Sequence, residues 1–201
     1  MITGPRYKIA RRLGASVFDK TQTQKFAMRS SSKDVKKKKR AGSDFGLQLL
    51  EKQRARFTYG LGEKQFKNLV EKVQSKRGAD TNEAFVQALE TRLDNAVYRL
   101  GFASTRQAAR QMVNHGHIDV NGKRNTIPSF HLSIGDIITI RESSKKKPLF
   151  KDLDDKLKEH KIPSWLAFNK EKKEAKVQGL PKIPVNELSF DVSQIFQYYN
   201  R

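Results

Sequence analysis

The residues best suited to chemistry in this chain are arginines spaced as on one face of a helix. Arg106 and Arg110 lie four residues apart within 104–123, so a helix would direct both side chains to the same face. Upstream, Arg92 and Arg99 are seven residues apart and share approximately one direction. Guanidinium groups bind phosphate through several fixed N–H donors, so we expect these arginines to project together toward a phosphate chain.

A turn signal follows this helix and adds further cations. Asn121-Gly122 is the strongest short hairpin signal, and Lys123 and Arg124 come directly after it. Glycine allows a close approach of another backbone, and cations at a hairpin tip can reach phosphates. Contacts to the shape and phosphates of an RNA helix need little more than such fixed charges.

Two histidines offer a different chemistry, because His115 and His117 form an H-x-H pair. Only His131 and His160 remain as further imidazole ligands, and the sequence shows no carboxylate converging on them. We therefore expect no metal site. His115, close to a helix end, is better interpreted as a contact to a carbonyl or a phosphate.

The overall charge supports a polyanionic partner. The 201 residues include 41 Lys and Arg against 21 Asp and Glu, a net charge of +20. If about ten of these cations contacted phosphates, log K would fall with log salt at a slope of roughly −7 to −9. The chain has no cysteine and no apolar run of about 20 residues, so we expect no disulfide, no thiolate metal site, no membrane segment and no export.

The elements that must position these residues begin with helices. Leu47, Leu50 and Phe57 form the apolar positions of a helix that ends at Gly60 and Gly62. The next segment, 63–73, is amphipathic, and we expect the two helices to pack as a hairpin. Its apolar positions at 3/4 spacing are Phe66, Leu69, Val70 and Val73.

The following helix pattern leads into the stretch with the paired arginines. Asp80 and Glu83 have the spacing of a capping box, and one apolar stripe continues from there to Gly101, as one long helix or two abutting ones. Ser104 suits the N-cap of the next short helix, which Gly116 ends.

The apolar period then changes from 3.6 to 2. Ile118 and Val120 precede the Asn-Gly turn, and a second strand pattern covers 137–140, so the unit is predicted to be two helices followed by a small sheet. The stretch 142–150 is typical of a linker or surface loop. Residues 163–201 have too few periodic apolar residues to fold alone, so we expect them to pack on an earlier domain.

The N-terminal 40 residues contain thirteen Lys and Arg and only two acids, Asp19 and Asp34. Such a segment is not expected to fold on its own hydrophobic content. Its run Lys36 to Arg40 is compatible with a solvated arm, with phosphate contacts or with nuclear targeting.

Three stretches resemble one known family. The RNA-binding module of bacterial-type small-subunit ribosomal protein four is similar to "RLDNAVYRLGFASTRQAARQMVNHGHIDVNGK". The N-terminal domain of the same family resembles 45–66, and its N-terminal arm resembles 3–14. The combination is more specific than the module alone, which also occurs in some RNA-modifying enzymes and one class of aminoacyl-tRNA synthetase.

The resemblance implies an α+β fold with an inserted RNA-binding domain. A basic extended arm would cover 1–44, a helical domain 45–90, completed by 158–201, and the module 91–157 with two short helices and a small antiparallel sheet. It also implies binding to a junction of small-subunit ribosomal RNA early in assembly, beside small-subunit ribosomal protein five and near where messenger RNA enters, with an influence on decoding accuracy.

The resemblance further implies a set of RNA-binding residues and no small-molecule substrate or cofactor. Many family members hold zinc with N-terminal cysteines, and this arm has none, so zinc is not expected. The predicted contacts are Arg6, Lys8, Arg11, Arg12, Lys36, Lys37, Lys38, Lys39, Arg40, Arg54, Arg56, Lys64, Arg92, Arg99, Arg106, Arg110, His115, Asn121, Lys123 and Arg124.

Two other functions remain as alternatives. An RNA-modifying enzyme is suggested by "RLD" at 92–94, which is similar to the catalytic motif of pseudouridine synthases, but those enzymes carry it in a larger separate domain. We interpret Asp94 as a polar residue on a helix face. The other alternative is a non-stoichiometric stress or recycling factor that binds stalled ribosomal particles. The expected location is the small ribosomal subunit in a bacterial cytoplasm.

Overall fold

The computed structural model describes residues 4–28, 42–75, 80–151, 153, 157, 160–169, 172–182 and 187–200. The chain divides into two compact units. Unit one comprises Met1–Phe85 with Ile183–Arg201, and unit two comprises Val86–Lys182. The fold is α+β, as the sequence predicted, because unit two combines helices with a five-stranded antiparallel sheet.

The N-terminal segment of unit one is folded rather than extended. Helix α1 (Arg6–Leu13) is followed by 3-10 turns at Ala15–Val17 and Asp19–Thr21. Its few apolar side chains are enough to fold the segment because they pack in one cluster with side chains of α2 (Asp44–Thr58). That cluster contains Ala10, Leu13, Val17, Phe18 and Phe26, packed against Ile9, Leu50 and Phe57. The expectation of an extended arm is therefore wrong for the described part, and 36–40 lies outside the described residues.

Local hydrogen bonds cap both ends of helix α2. The Ser43 side chain accepts from the Gly46 N–H at its start. At its end Gly60 has a φ of 67°, and the Leu61 N–H donates to the Arg56 carbonyl, as in a Schellman motif. The predicted apolar face is wrong at Leu47, which is 48% exposed.

The expected hairpin of α2 with α3 (Glu63–Gln74) is also not the main packing. Helix α2 packs most closely with α8 (Val192–Tyr199), which comes from the other end of the chain. The Gln48 side chain donates to Gln197 on α8. Sequence periodicity gives the apolar face of a helix but not the partner that covers it.

Aromatic residues fill the core of unit one around α3. Phe66 is fully buried, and its ring meets Phe85 edge-on with centroids 5.7 Å apart. Phe85 in turn meets Phe196 of α8 at 5.4 Å. All four predicted apolar positions of α3 are buried.

The pattern predicted as one long helix or two abutting helices forms two, and the first of them crosses the boundary between the units at Phe85 and Val86. Helix α4 (Thr81–Glu90) ends at Thr91, and α5 (Leu93–Arg99) begins after Arg92. The first amides of α5 are satisfied by a loop, since the Leu93 N–H donates to the Phe130 carbonyl and the Asp94 N–H to the Pro128 carbonyl.

Helix α6 (Arg106–Asn114) has a different N-cap from the predicted Ser104. The Thr105 hydroxyl oxygen accepts from the Ala108 N–H at 3.1 Å. Gly116, with a φ of 69°, ends the helix as predicted, and its amide donates to the Val113 carbonyl.

The sheet consists of β1 (Ile118–Val120), β2 (Lys123–Asn125), β3 (Ile137–Ile140), β4 (Leu166–Asn169) and β5 (Glu174–Val177), in the spatial order β2-β1-β3-β5-β4. Asn121 and Gly122, with φ of 52° and 72°, form the predicted turn between β1 (Ile118–Val120) and β2 (Lys123–Asn125). Strand β3 (Ile137–Ile140) pairs with β1 so that Ile118 lies opposite Ile140.

Two expectations for later residues are corrected. The stretch 142–150 is not a loop but a short helix α7 (Glu142–Lys145) and a 3-10 turn at Pro148–Phe150. Strands β4 (Leu166–Asn169) and β5 (Glu174–Val177) extend the sheet of unit two, because Ile138 of β3 pairs with Ala175 of β5. Of the predicted returning segment 158–201, the part that belongs to unit one starts at Ile183.

One apolar core joins the helices and the sheet of unit two. It includes Leu93 and Val97 of α5, Val113 of α6, Ile138 of β3 and the single tryptophan, Trp165. This core fixes the face of α5 and α6 that carries the arginines. Among the described residues, no helix is long and apolar enough to cross a membrane.

Candidate nucleic-acid interface

Asp94 brings two of the predicted arginines together. Its Oδ2 accepts from Arg92 Nη2 at 2.9 Å and from Arg110 Nη2 at 2.7 Å. The Arg92 side chain is only 7% exposed, whereas that of Arg110 is 25% exposed. The carboxylate therefore joins the start of α5 to α6 and leaves one of the two guanidiniums at the surface.

A second carboxylate, Glu90, organises the other two arginines. Arg99 donates to both Glu90 oxygens, at 2.9 and 2.7 Å. The Asn95 amide donates to Glu90 Oε2 at 2.8 Å, and Asn95 Oδ1 accepts from Arg106 Nε at 2.8 Å. The Arg106 guanidinium also lies 4.5 Å from the centroid of the Tyr98 ring, a cation–π contact.

We call this set the arginine network. Its members are Glu90, Asp94, Asn95, Arg92, Arg99, Arg106 and Arg110. Glu90 is fully buried and Asp94 is 3% exposed, so each carboxylate needs its guanidinium partners to offset desolvation. Four guanidiniums against two carboxylates leave the network positively charged.

The arginine network differs from the site predicted from the sequence in the environment of its charged side chains. Arg106 and Arg110 were expected to project together toward a phosphate chain, and acceptors on α5 hold both side chains. Arg92 is buried, so it supports α5 instead of presenting a cation. Asp94, interpreted from the sequence as a polar residue on a helix face, is a buried ion-pair centre.

The hairpin tip divides into a turn residue and two exposed cations. The Asn121 amide donates to Asp136, and Asn121 Oδ1 accepts from the Ile137 N–H, so this side chain shapes the turn. Lys123 and Arg124 are exposed. The tip therefore presents both cations on a rigid support.

The two histidines differ in exposure. His117 is 8% exposed, and its Nδ1 lies 2.9 Å from the Ser144 hydroxyl. Burial, together with the charges of Lys147, His115 and Arg124, lowers the pKa of His117 below 6.5. His115 is exposed at the C-cap of α6. Among the described residues, no group of three His, Cys, Asp or Glu could hold a metal ion.

The predicted contacts of unit one lie in two settings. Arg6, Lys8, Arg11 and Arg12 of α1, and Lys64 of α3, are exposed. Arg54 and Arg56 of α2 are partly buried, and each has acceptors nearby. Arg54 donates to the Leu13 carbonyl and Glu51, and Arg56 donates to Gln53.

Sequence reasoning missed the residues that hold these cations. The sequence analysis did not predict a role for Glu90, Asn95 or Tyr98. The acidic residues that lie between arginines across 90–110 could have indicated ion pairs there. Sequence reasoning also missed Lys52, which is 4% exposed, bonds Glu63 and lies 4.4 Å from the Tyr198 ring centroid.

Lys52 and neighbouring groups stabilise the ionised carboxylate of Glu63. Burial by itself raises the pKa of Glu63, but the hydrogen bond and charge of Lys52, with Arg56 and Tyr199, lower it overall. Burial and the nearby Glu63 raise the pKa of Tyr199 well above 10. These groups tie α2 and α3 to the aromatic residues of α8.

Comparison with known proteins gives matches over both units. Residues 1–90 match the family model described as "Ribosomal protein S4/S9 N-terminal domain", and 91–138 match the "S4 domain". Proteins named "Small ribosomal subunit protein uS4" are similar over almost their full length. A Roseiflexus species has one at 42% identity, covering 98% of both chains, and Lactiplantibacillus plantarum has one at 41%, covering 99% of this chain and 98% of its own.

Proposed function

Because the chain belongs to the bacterial-type family of small-subunit ribosomal protein S4, we propose that it is a structural component of the small ribosomal subunit that binds ribosomal RNA. The family is one of ribosomal proteins and not of enzymes. Its work is binding, in which fixed positive charges contact the RNA backbone.

The observation that carries this proposal is the extent of the similarity. It includes unit one as well as the module, through 98% of the chain. A factor that used the module alone to bind stalled particles would not require a matching N-terminal domain. A constitutive subunit component is therefore the better interpretation.

Two groups of cations suggest separate sources for the affinity and for the specificity of RNA binding. Exposed cations on α1 and at the hairpin tip would neutralise phosphates, which supplies affinity for any RNA of suitable shape. The partly exposed guanidiniums of Arg99, Arg106 and Arg110 are held by the arginine network at fixed positions. Fixed spacing favours a folded RNA junction over a flexible strand.

We further propose that the protein binds its junction early and nucleates small-subunit assembly. In the assembled subunit it would lie beside small-subunit ribosomal protein five, close to where messenger RNA enters, and affect decoding accuracy. The support for these finer statements is the family resemblance.

Sedimentation of cell lysate tests the main proposal. A subunit component co-migrates with small subunits in a one-to-one ratio under all growth conditions. A stress or recycling factor would instead appear on a minor fraction of particles and increase under stress. The second result would reject the proposed function.

A charge variant tests the hairpin tip. Lys123→Gln combined with Arg124→Gln removes two exposed cations, so binding to small-subunit RNA should weaken and the slope of log K against log salt should become less steep by up to about two. The matched control is Lys172→Gln with Lys176→Gln, two exposed cations of unit two outside the predicted contacts. Equal slopes in the two variants would contradict the role of the tip.

A further inference from the structure

A small pocket lies between α6, the start of β1 and the turn after α7. It has a volume of about 150 Å³ and is lined by Ala108, Gln111, Met112, His115, His117 and Leu149. Apolar side chains and imidazole rings form its walls, and the Gln111 amide supplies donors and an acceptor. A cavity of about this size holds one benzene ring in another protein, so a single six-membered ring fits.

The local backbone explains why two imidazoles line this pocket. Gly116 turns the chain with a φ of 69°, which brings His115 and His117 side by side with ring centroids 5.9 Å apart. Ser144 and Phe150 hold the His117 ring, the first through Nδ1 and the second edge-on at 6.0 Å. Burial and the charges of Lys147, His115 and Arg124 lower the pKa of His117, which favours the neutral imidazole.

Leu149 is the second unusual feature. It is 50% exposed, although the neighbouring Phe150 is buried in the core of unit two. The 3-10 turn Pro148–Phe150 therefore directs one side chain inward and presents the other at the rim of the pocket. An apolar rim beside aromatic rings suits a flat, weakly polar ligand.

Cations flank the same pocket. Lys147 precedes the turn that carries Leu149, and the charges of Lys147 and Arg124 both act on His117. Arg124 passes so close to Gly116 that a Cβ there would collide with its guanidinium group. Both cations are exposed, and no carboxylate is among the pocket-lining residues that the structure describes.

We propose that this pocket seats one unpaired, pyrimidine-sized base of the bound RNA, with a backbone phosphate of that nucleotide between Lys147 and Arg124. The inference rests on the proposed function and adds a mode of contact to it. Single-stranded bases stack on aromatic side chains, histidine included, while basic groups follow the backbone. The pocket and the two cations that flank it combine both features.

The test compares two probes of equal charge on the full-length protein. One is a uridine oligonucleotide of roughly ten nucleotides, and the other is the same ribose-phosphate backbone without bases. Stacking of one base predicts roughly five- to 150-fold tighter binding of the uridine probe. Equal affinity for the two probes would overturn the proposal.

Variants then locate the contact. Leu149→Ala combined with His115→Ala should abolish most of the preference for uridine over the base-free probe, whose own affinity reports any loss of phosphate contacts. Leu180→Ala is the matched control, because Leu180 is a 48% exposed leucine of the same unit that does not belong to the described lining of the pocket. A preference that survives in the pocket variant, or is lost in the control, would contradict the assignment.

A measurement on unmodified protein covers the case of a variant that does not fold. Small-subunit RNA containing 4-thiouridine, cross-linked by light to the wild-type protein, should attach within 108–117 or 147–150. Attachment only elsewhere in the chain rejects the pocket. Absence of any binding to small-subunit RNA would instead reject the proposed function, so the two failures are distinguishable.

Discussion

Two guanidiniums share Asp94, and they have different environments. Arg92 is almost completely buried, and Asp94 is the ion-pair partner that offsets its desolvation. Arg110 remains partly exposed and takes its orientation from the same carboxylate. A single acidic side chain thus both permits a buried arginine at the start of α5 and fixes a surface arginine on α6.

Replacement of Asp94 tests this dual role. Asp94→Asn should reduce the free energy of unfolding of unit two by about 3–5 kcal/mol, because the charge of Arg92 stays buried without a counterion. Urea unfolding followed by fluorescence of Trp165 measures this, since the single tryptophan is buried in unit two. Glu142→Gln is the control.

The control replaces a carboxylate that is 86% exposed and pairs only at the surface with Lys145. Such pairs contribute little, so stability should be nearly unchanged. Equal losses in the two variants would show that Asp94 has no special role.

His117 predicts a pH dependence of stability. Its pKa is lowered in the folded protein by burial and by Lys147, His115 and Arg124, so below pH 6.5 the unfolded chain binds a proton that the folded chain does not. Stability of unit two should therefore fall as pH decreases from 6.5 through the folded pKa and then level off. Urea unfolding between pH 7.5 and 5 should show a steeper fall for wild type than for His117→Gln, and parallel curves would contradict the assignment.

Among the secondary-structure elements, turns and helix ends were the features that the sequence predicted best. Asn121-Gly122 and Gly116 adopt positive φ, where local chemistry alone decides the conformation. The arginine network could not be predicted in the same way. Arg99 and Glu90 are nine residues apart on different helices, and only the break at Thr91–Arg92 and the packing of α5 bring them together.

Strands β4 and β5 show another limit of sequence patterns. Each has four residues, and their interior positions are defined only by pairing with each other and with β3. Short strands at the end of a sheet carry little periodic signal of their own. For this reason the tail was predicted to return to the helical domain as a whole.

Gly116 supports a prediction about the turn after α6. Gly116→Ala should destabilise unit two by about 1–2 kcal/mol from the positive φ, and by more because the new Cβ displaces Arg124. Gly122→Ala is the matched control, with a φ of 72° and no atom within 4 Å of its Cβ position. Comparison of the two by Trp165 fluorescence isolates the Arg124 contact, and equal losses would show that this contact contributes nothing.

The cations that give the chain its net charge of +20 are of two kinds. Part of the positive charge is paired internally, as at Lys52 and Arg92, and stabilises the fold. Other described cations are exposed, among them those on α1 and on the hairpin, and such cations are well placed to exchange counterions for phosphates. A count of charges from the sequence could not separate the two groups.

The exposed cations of α1 predict a change in salt dependence. Lys8→Gln, Arg11→Gln and Arg12→Gln together should weaken binding to small-subunit RNA and make the salt slope less steep by up to about three, with unfolding unchanged. Filter binding over a range of salt measures this. Deletion of residues 1–28 should also destabilise unit one, because it uncovers Leu50 and Phe57. An unchanged slope in the triple variant would reject a role for α1.

Unit one is made of two separate stretches of chain, and this determines the order in which the two units can fold during translation. Helix α2 packs most closely with α8, so an N-terminal half made early waits for residues 192–199 before its core closes. Unit two is continuous and can mature as soon as β5 has left the exit tunnel. During translation the inserted module can therefore fold before the domain that surrounds it in sequence. A growing chain then has a folded RNA-binding module while the core around its first helices still lacks α8.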